Sequence, residues 1–389
     1  MDKKLYISTV SLLFISLVAV YSLSVFTTIY FEASHYAFIK KQLISVLIGV
    51  LVLTLFAKMN PYTVFKPLGF TLFVGSFIAI AAMLVLPESL VRSVLGAKRW
   101  IKFGSISIAP TEFFKYGFVF FIAWSLDRKF DILVKSKNIF KEFLIIIPYF
   151  LILITASAII AIGQKDLGQV VVLGVVLIVL LYLSGSSKTF FAVLSVMAVF
   201  AVIMLIKIAP HRIERFKGWW VYNQDALLSL LPSSWAEALR ITDTTTPLNI
   251  LNSTYAIHNG SLIGQGIGDG QFKLGYLSEV HTDFILAGIS EEVGFLGLLI
   301  VVGLFLSIIY YITQIASKLH NLNEKLFAYG VATVLVVEFL INVFGITGLI
   351  PIKGIAVPLL SYGGSQIIAT SMAIGMVLML SRKVEQKWV

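Results

Sequence analysis

Apolar stretches of about 20 residues recur from one end of this 389-residue chain to the other, each long enough to cross a bilayer core of roughly 30 Å. No water reaches the backbone at that depth, so such spans must satisfy their own N–H and C=O groups as helices. Hydrophobic residues make up 58% of the chain and charged residues 13%, a balance foreign to soluble globular domains. The fold class read from this pattern is an all-α polytopic membrane protein. Ten transmembrane helices are expected, at about 6–29, 37–57, 67–86, 111–126, 143–163, 169–184, 188–208, 284–313, 328–347 and 359–380. The first follows a basic flank but is longer than a signal-peptide core, so it reads as an uncleaved span. Residues 1–389 are read as one transmembrane domain, with large outer loops at 87–110 and 209–282.

An even number of spans puts both termini on one side, and positive charge chooses the side. With the termini inside, the inner segments hold fifteen Lys and Arg residues and the short outer segments hold eight. Cytoplasmic termini are therefore expected. The outer cations gain nothing from that rule. Local salt bridges or lipid head groups would account for them, and so would an anionic substrate handled on the outer face. Cysteine is absent, which removes disulfides, thiolate metal sites and thiol nucleophiles. Glycines at 260, 264, 266, 268 and 270 permit positive φ and close backbone approach. Without a strand–helix unit around them they are not a dinucleotide fingerprint.

Several polar residues continue into apolar runs. In "APTEFFK", Glu112 and Lys115 lie three apart on one helix face, as a structural ion pair or as part of a functional cavity. "GQKDLGQ" is a short polar hairpin with Lys165 and Asp166. Glu338 and Asn342 lie one turn apart, placed for interhelical hydrogen bonds. "GLIPIKGIAVPLLSYGGSQ" (348–366) is the one region whose pattern is clearly broken, and irregular backbone survives at membrane depth only beside protein or a water-filled cavity. Asp283 falls at the outer mouth of the eighth span, after His281 and Thr282. Glu291 lies eight residues on, about 12 Å along a helix, too far to share a proton with it. Asp283 is thus placed for chemistry at the interface, and Glu291 and Glu292 for organising the interior. His281 alone reads as a helix-start residue.

Taken together, these motifs resemble the SEDS family of FtsW and RodA over nearly the whole chain. "GAKRWI" (96–101) and "PTEFFK" (110–115) are similar to the family's first outer loop and helix start. "QKDLG" is similar to its Q-P-D-x-G turn, "LSEVHTDFILAGISEEVGFLG" to its L-P-E-x-H-T-D-F segment, and "PLLSYGGS" to the signature before the last helix. Ala109, Thr111, Lys165, Ser278 and Gln366 depart from the usual residues, and none of these departures removes an ionisable group of the motifs. The resemblance implies a peptidoglycan glycosyltransferase that polymerises lipid II on the outer face of the cytoplasmic (inner) membrane. By that resemblance Asp283 is the catalytic residue. Substrate contacts are expected from Lys98, Arg99, Trp100, Lys102, Glu112, Lys115, His281, Glu291, Lys353 and Ser361.

The implied chemistry is inverting displacement at an anomeric carbon, with polyprenyl pyrophosphate leaving and Asp283 as general base. Cations among Lys98, Arg99 and Lys102, or a bound divalent ion, would stabilise the leaving charge. No cofactor is otherwise implied. Lys353 in "IPIKG" resembles the FtsW pattern, which points to septal synthesis in cell division, with RodA-type elongation as the alternative. The family also implies a class B penicillin-binding protein as partner, alongside other division proteins and membrane lipids, and no nucleic acid. A lipid-linked precursor flippase or transporter is the reading from another class, and a division scaffold a third. Transporters often pair broken helices in inverted repeats, and the single break visible in the sequence argues against one.

Overall fold

In a computed structural model of the chain, the described residues are 1–385 without 31–33, 35, 88, 95–96, 105, 136–138, 208–209 and 243–246. The chain opens with α1 (Lys3–Leu23), α2 (Val25–Tyr30), α3 (Ala37–Lys58) and α4 (Pro61–Val85). A small antiparallel sheet follows, β1 (Val91–Val94), β2 (Ala97–Phe103) and β3 (Ile106–Ile108), in that spatial order. Then come α5 (Pro110–Lys135), α6 (Ile139–Ala158), a π-helical turn at Ile159–Gly163, α7 (Leu167–Leu183) and α8 (Lys188–Lys207). The long loop carries α9 (Pro210–Leu228), α10 (Ser233–Leu239) and α11 (Leu248–Gly260), and α12 (Ile285–Lys318), α13 (Leu322–Ile346) and α14 (Gly364–Glu385) complete the bundle.

Helix starts follow local chemistry. Asp2 accepts from the N–H groups of Lys4 and Leu5, Asn60 from Tyr62, Asp166 from Gln169 and Asn321 from Glu324, each satisfying a donor that the first helical turn leaves free. Among the described residues, seven helices are long and apolar enough to cross a membrane: α1, α3, α4, Glu142–Gly163, α12, α13 and Gly364–Val384. Leu167–Leu183 and Lys188–Met204 are shorter apolar helices. α5, at 26 residues, has the length but carries Glu112 and Lys115 near its start. The protein is a multi-pass, all-α membrane protein with one small sheet.

Several expected spans differ from their patterns, and the first (6–29) divides at Ser24 between α1 and α2. The last begins at Gly364 rather than 359, because Leu359 has φ +64° and lies in a turn. The eighth is not one continuous helix, since Gly294 (φ +69°, ψ −174°) breaks α12 into two segments. The expectation of a single broken region at 348–366 is therefore wrong. Glycine hides such a break in a sequence, because it interrupts no apolar run and adopts positive φ without strain.

The break is closed by the glycine-rich loop. Glu291 and Glu292 offer their carbonyls to the N–H groups of Gln265 and Gly266, each at 2.9 Å, while Phe295 and Leu296 donate to the carbonyls of Ser261 (2.9 Å) and Leu262 (3.1 Å). Gly264 (φ +90°) lies so near that a Cβ on Gly294 would stand 2.4 Å from its nitrogen. Side chains lock the same junction. Glu291 accepts from Gln271 N (2.7 Å), Phe272 N (3.2 Å) and Asn259 Nδ2 (2.9 Å), and Glu292 pairs with buried Lys273 at 2.6 Å and accepts from Ser22 at 2.6 Å.

α14 runs through the middle of the bundle and is buried along most of its length. α5 packs on α4 through Phe73, Phe114 and Phe121, with the Phe73 and Phe121 rings stacked at 4.4 Å. A Cβ on Gly117 would stand 2.6 Å from the Phe73 backbone, so this close helix approach requires glycine there. These contacts fix α5 beside α13 and α14, and hence the polar groups at its start.

Candidate active site

Asp283 sits in the turn before α12, half-buried, where three other segments meet. Its backbone N–H donates to Glu279 O at 3.1 Å, and its carbonyl accepts from Asn342 Nδ2 of α13 at 2.7 Å. The same amide donates to Ile355 O at 2.7 Å, which ties the turn to the broken 348–363 segment. Gly354 (φ +61°) passes so close that a Cβ there would stand 2.8 Å from Asp283 Oδ2. The glycine thus lets backbone reach the carboxylate. Glu279 (φ +54°) closes the turn, accepting the Thr282 hydroxyl on both its carbonyl and Oε2 at 3.0 Å.

The signature before the last helix supports this turn from below. Ser361 Oγ donates to Thr282 O (2.6 Å) and accepts from Val357 N (2.9 Å), and Tyr362 N donates to His281 O (2.9 Å). Gln42 of α3 holds Ser361 O (3.3 Å) and Ser16 (2.6 Å). His281 is buried between the rings of Phe38 (4.9 Å) and Tyr362 (5.5 Å). Burial lowers its pKa, against the opposing pull of Glu279, which favours the neutral ring.

Burial raises the Asp283 carboxyl from the usual range to about 7, and the charges of Glu279 and Asp166 add to the rise. Arg99 and Arg215 oppose it. A base that titrates near neutrality suits proton abstraction.

Arg99 reaches the neighbourhood through a β-bulge. β1 pairs Arg92 with Trp100 and Ser93 with Lys98, leaving Arg99 as the extra residue, and bulges commonly re-aim a side chain in this way. Its guanidinium donates to Gln164 O (2.9 Å) and Lys165 O (3.3 Å) and lies 3.7 Å from Asp166. Lys98, Trp100 and Lys102 are half-buried on the same strand.

From Asp166 a line of polar groups descends into the bundle. Asp166 caps α7 at Gln169 N (3.3 Å), and Gln169 Nε2 donates to Glu112 (3.4 Å). Glu112 accepts from Lys115 (2.7 Å), which also donates to Glu338 in a short contact. Lys115 and Glu338 are both fully buried. The expected pair is thus a triad, in which Glu338 joins as a charge partner rather than through a simple interhelical hydrogen bond.

The remaining expectations divide by exposure. Ser361 and Lys115 are inaccessible, His281 is 2% exposed and Glu291 1%. Glu291 is filled by donors of its own chain, and Ser361 by two backbone partners. In this structure these four side chains are enclosed by residues of the chain itself. Asp283, Arg99, Lys98, Trp100, Lys102 and Lys353 retain access.

Sequence reasoning missed Arg212 and Arg215, one turn apart on α9. Burial lowers the Lys353 pKa, and Arg215 and Arg212 lower it further, against the pull of Asp166. Only the basic run "HRIERFK" hinted at them. A cavity of about 800 Å³ lies between α11, α12 and α13, reaching Leu286 one turn after Asp283 and lined largely by apolar groups such as Leu298, Val302, Phe339, Val343 and Ile346. Among the described residues no group of three or more His, Asp or Glu side chains is gathered to hold a metal ion.

Known proteins match this architecture along its length. The pattern of the FtsW, RodA and SpoVE family, described as "Cell cycle protein", matches residues 3–386. A probable peptidoglycan glycosyltransferase FtsW of Helicobacter pylori is 43% identical over 383 residues, covering 98% of each chain. A chain from a peptidoglycan synthase complex that coordinates polymerization and crosslinking shares the fold, with a TM-score of 0.70 at 20% identity over 99% of this chain and 98% of that one. The rod shape determining protein RodA of Thermus thermophilus shares it too, with a TM-score of 0.64 at 20% identity over 98% and 97%.

Proposed function

We propose that this chain, which belongs to the FtsW, RodA and SpoVE family, is a peptidoglycan glycosyltransferase that polymerises lipid II at the outer face of the cytoplasmic membrane. The observation that carries the reading is Asp283, a half-buried carboxylate titrating near neutrality beside basic loops and an apolar cavity. Those three surroundings match the parts of a lipid-linked sugar diphosphate. The carboxylate takes a hydroxyl proton, the cations meet the diphosphate and the cavity accepts an isoprenoid chain.

In the reaction, the acceptor's 4-hydroxyl oxygen attacks the donor's anomeric carbon and Asp283 takes its proton. The bond from that carbon to the diphosphate oxygen breaks, and its electron pair leaves with the polyprenyl diphosphate. One base suffices for an inverting step.

Reconstitution with lipid II, with and without a class B penicillin-binding protein, tests the activity. Glycan strands should form, and kcat/KM should rise with pH through about 7, because the base works only when ionised and its pKa is raised to about 7. A rate already flat at pH 5.5 would exclude Asp283 as that base. Absence of polymer together with movement of lipid II across vesicles would favour the flippase, whose case the second helix break strengthens. The resemblance to the synthase-complex chain supports a crosslinking partner. Lys353 and the FtsW-named relatives support septal synthesis over elongation.

Orientation is read from charge, with cytoplasmic termini and the sheet outside. Single cysteines placed at the exposed residues Ser107 and Ser261 should react with an impermeant thiol reagent in intact spheroplasts, where no native cysteine interferes. Protection of both until the membrane is opened would invert the topology.

A further inference from the structure

The cations around Asp283 are not equivalent. Arg99 is engaged by two carbonyls and Asp166, so its charge is largely spent on holding the 164–166 turn. Arg215 and Lys353 form no ion pair or hydrogen bond with a described residue. Arg215 is exposed, while Lys353 is half-buried.

Their neighbourhood is rigidly built. Arg212 donates to Ala161 O at 2.9 Å, fastening the first turn of α9 to the π-helical turn. Two turns on, Trp219 Nε1 and Asn223 Nδ2 both donate to Gly348 O, at 2.7 and 2.9 Å, fastening α9 to the start of the broken segment. Arg215 lies between these two anchors. Lys353 immediately precedes Gly354, where an added Cβ would stand 2.8 Å from Asp283 Oδ2. Half-buried Lys353 lies within the field of Arg212 and Arg215 on the anchored α9, and this like-charge repulsion disfavours the empty protein. An anion offsets that cost.

We propose that Arg215 and Lys353, with Arg212 bracing α9, form the binding site for the diphosphate of a polyprenyl-linked sugar beside Asp283, in place of the already engaged Arg99. The inference rests on the glycosyltransferase reading and relocates the leaving-group contact away from β2. A planar guanidinium and a flexible ammonium from two different elements can hold two phosphate groups at once. A single monoanionic lipid phosphate uses only part of that set. In an inverting step the leaving diphosphate lies across the anomeric carbon from the hydroxyl that gives up its proton, so Arg215 and Lys353 would meet the departing charge on the face opposite the one Asp283 serves.

The test is equilibrium binding of farnesyl diphosphate to the full chain in nanodiscs, read by fluorescence of Trp219 and Trp220, which lie one turn beyond Arg215. Arg215→Gln and Lys353→Met should each weaken binding about 10-fold or more, the size expected for losing a charge-assisted hydrogen bond. Lys217→Gln, on the same helix but paired with Glu214, should bind as the wild type does. Farnesyl monophosphate should bind at least several-fold more weakly, and phosphatidylglycerol in excess should compete poorly. Wild-type affinity in both variants would overturn the proposal, as would equal competition by phosphatidylglycerol, which would make this a bulk-lipid site. Asp283→Asn should bind the probe at least as tightly as wild type, since a neighbouring negative charge is gone. Failure of the diphosphate site is thus read in binding, and failure of the polymerase reading in glycan formation.

Discussion

Asp283→Asn should cut glycan polymerisation by about 10²–10⁴-fold or more, the usual worth of a positioned base, while the chain still folds and inserts. The substitution keeps the side chain's size, and the turn is held by backbone bonds that it leaves untouched, to Glu279, Asn342 and, through Ser361, Thr282. Glu279→Gln should act differently. It keeps an acceptor for Thr282 but removes a negative charge that raises the Asp283 pKa, so the acid limb should move to lower pH with a milder change in maximal rate. Glu291→Gln should lower thermal stability and activity together, because it weakens the clamp on Gln271 and Phe272. Glycan length on gels, beside a melting curve for each variant, separates these cases. Near-normal chains from Asp283→Asn would sink the mechanism.

Lys115→Met should be the most damaging change to stability. It leaves Glu338 and Glu112 without their shared cation, one of them wholly buried. Removing one partner of a buried pair typically costs about 3–5 kcal/mol, so the melting temperature should fall by several degrees. Adding Glu338→Gln should recover part of that loss, because the orphaned charge is then gone. A wild-type melting temperature for Lys115→Met would show that the triad contributes nothing. The triple change Glu112→Gln, Lys115→Met, Glu338→Gln separates structure from function. If it is stable but inactive, the triad organises the site; if it is active, the charges are an internal strut.

The elements that could be read early were those with local causes. Helices appeared where apolar runs exceed the membrane's thickness, and their starts followed Asp2, Asn60, Asp166 and Asn321. Asp283 stood out because an acid at the mouth of an apolar helix is costly without a use. What escaped was set by distant parts of the chain. Glu338 looked like a polar residue seeking a hydrogen bond, and only the packing of α13 on α5 brings Lys115 to it. Arg212 and Arg215 carry no motif, and they gain meaning from where α9 is tied to residues 161 and 348. The small sheet leaves little trace in the sequence because its strands are only 4, 7 and 3 residues long. Gly294 was hidden in an apolar run because glycine disturbs no hydropathy pattern.

That glycine also decides which parts of the molecule open together. The amides of Phe295 and Leu296 begin a membrane helix, yet their acceptors are Ser261 and Leu262, in a surface loop. Hydrogen-exchange protection at the head of this helix therefore depends on the loop staying docked. Loosening residues 261–266 should fray the start of this second segment of α12, while the Asp283 turn keeps its separate bonds to Asn342, Ser361 and Tyr362, so exchange there should stay slow when the loop opens.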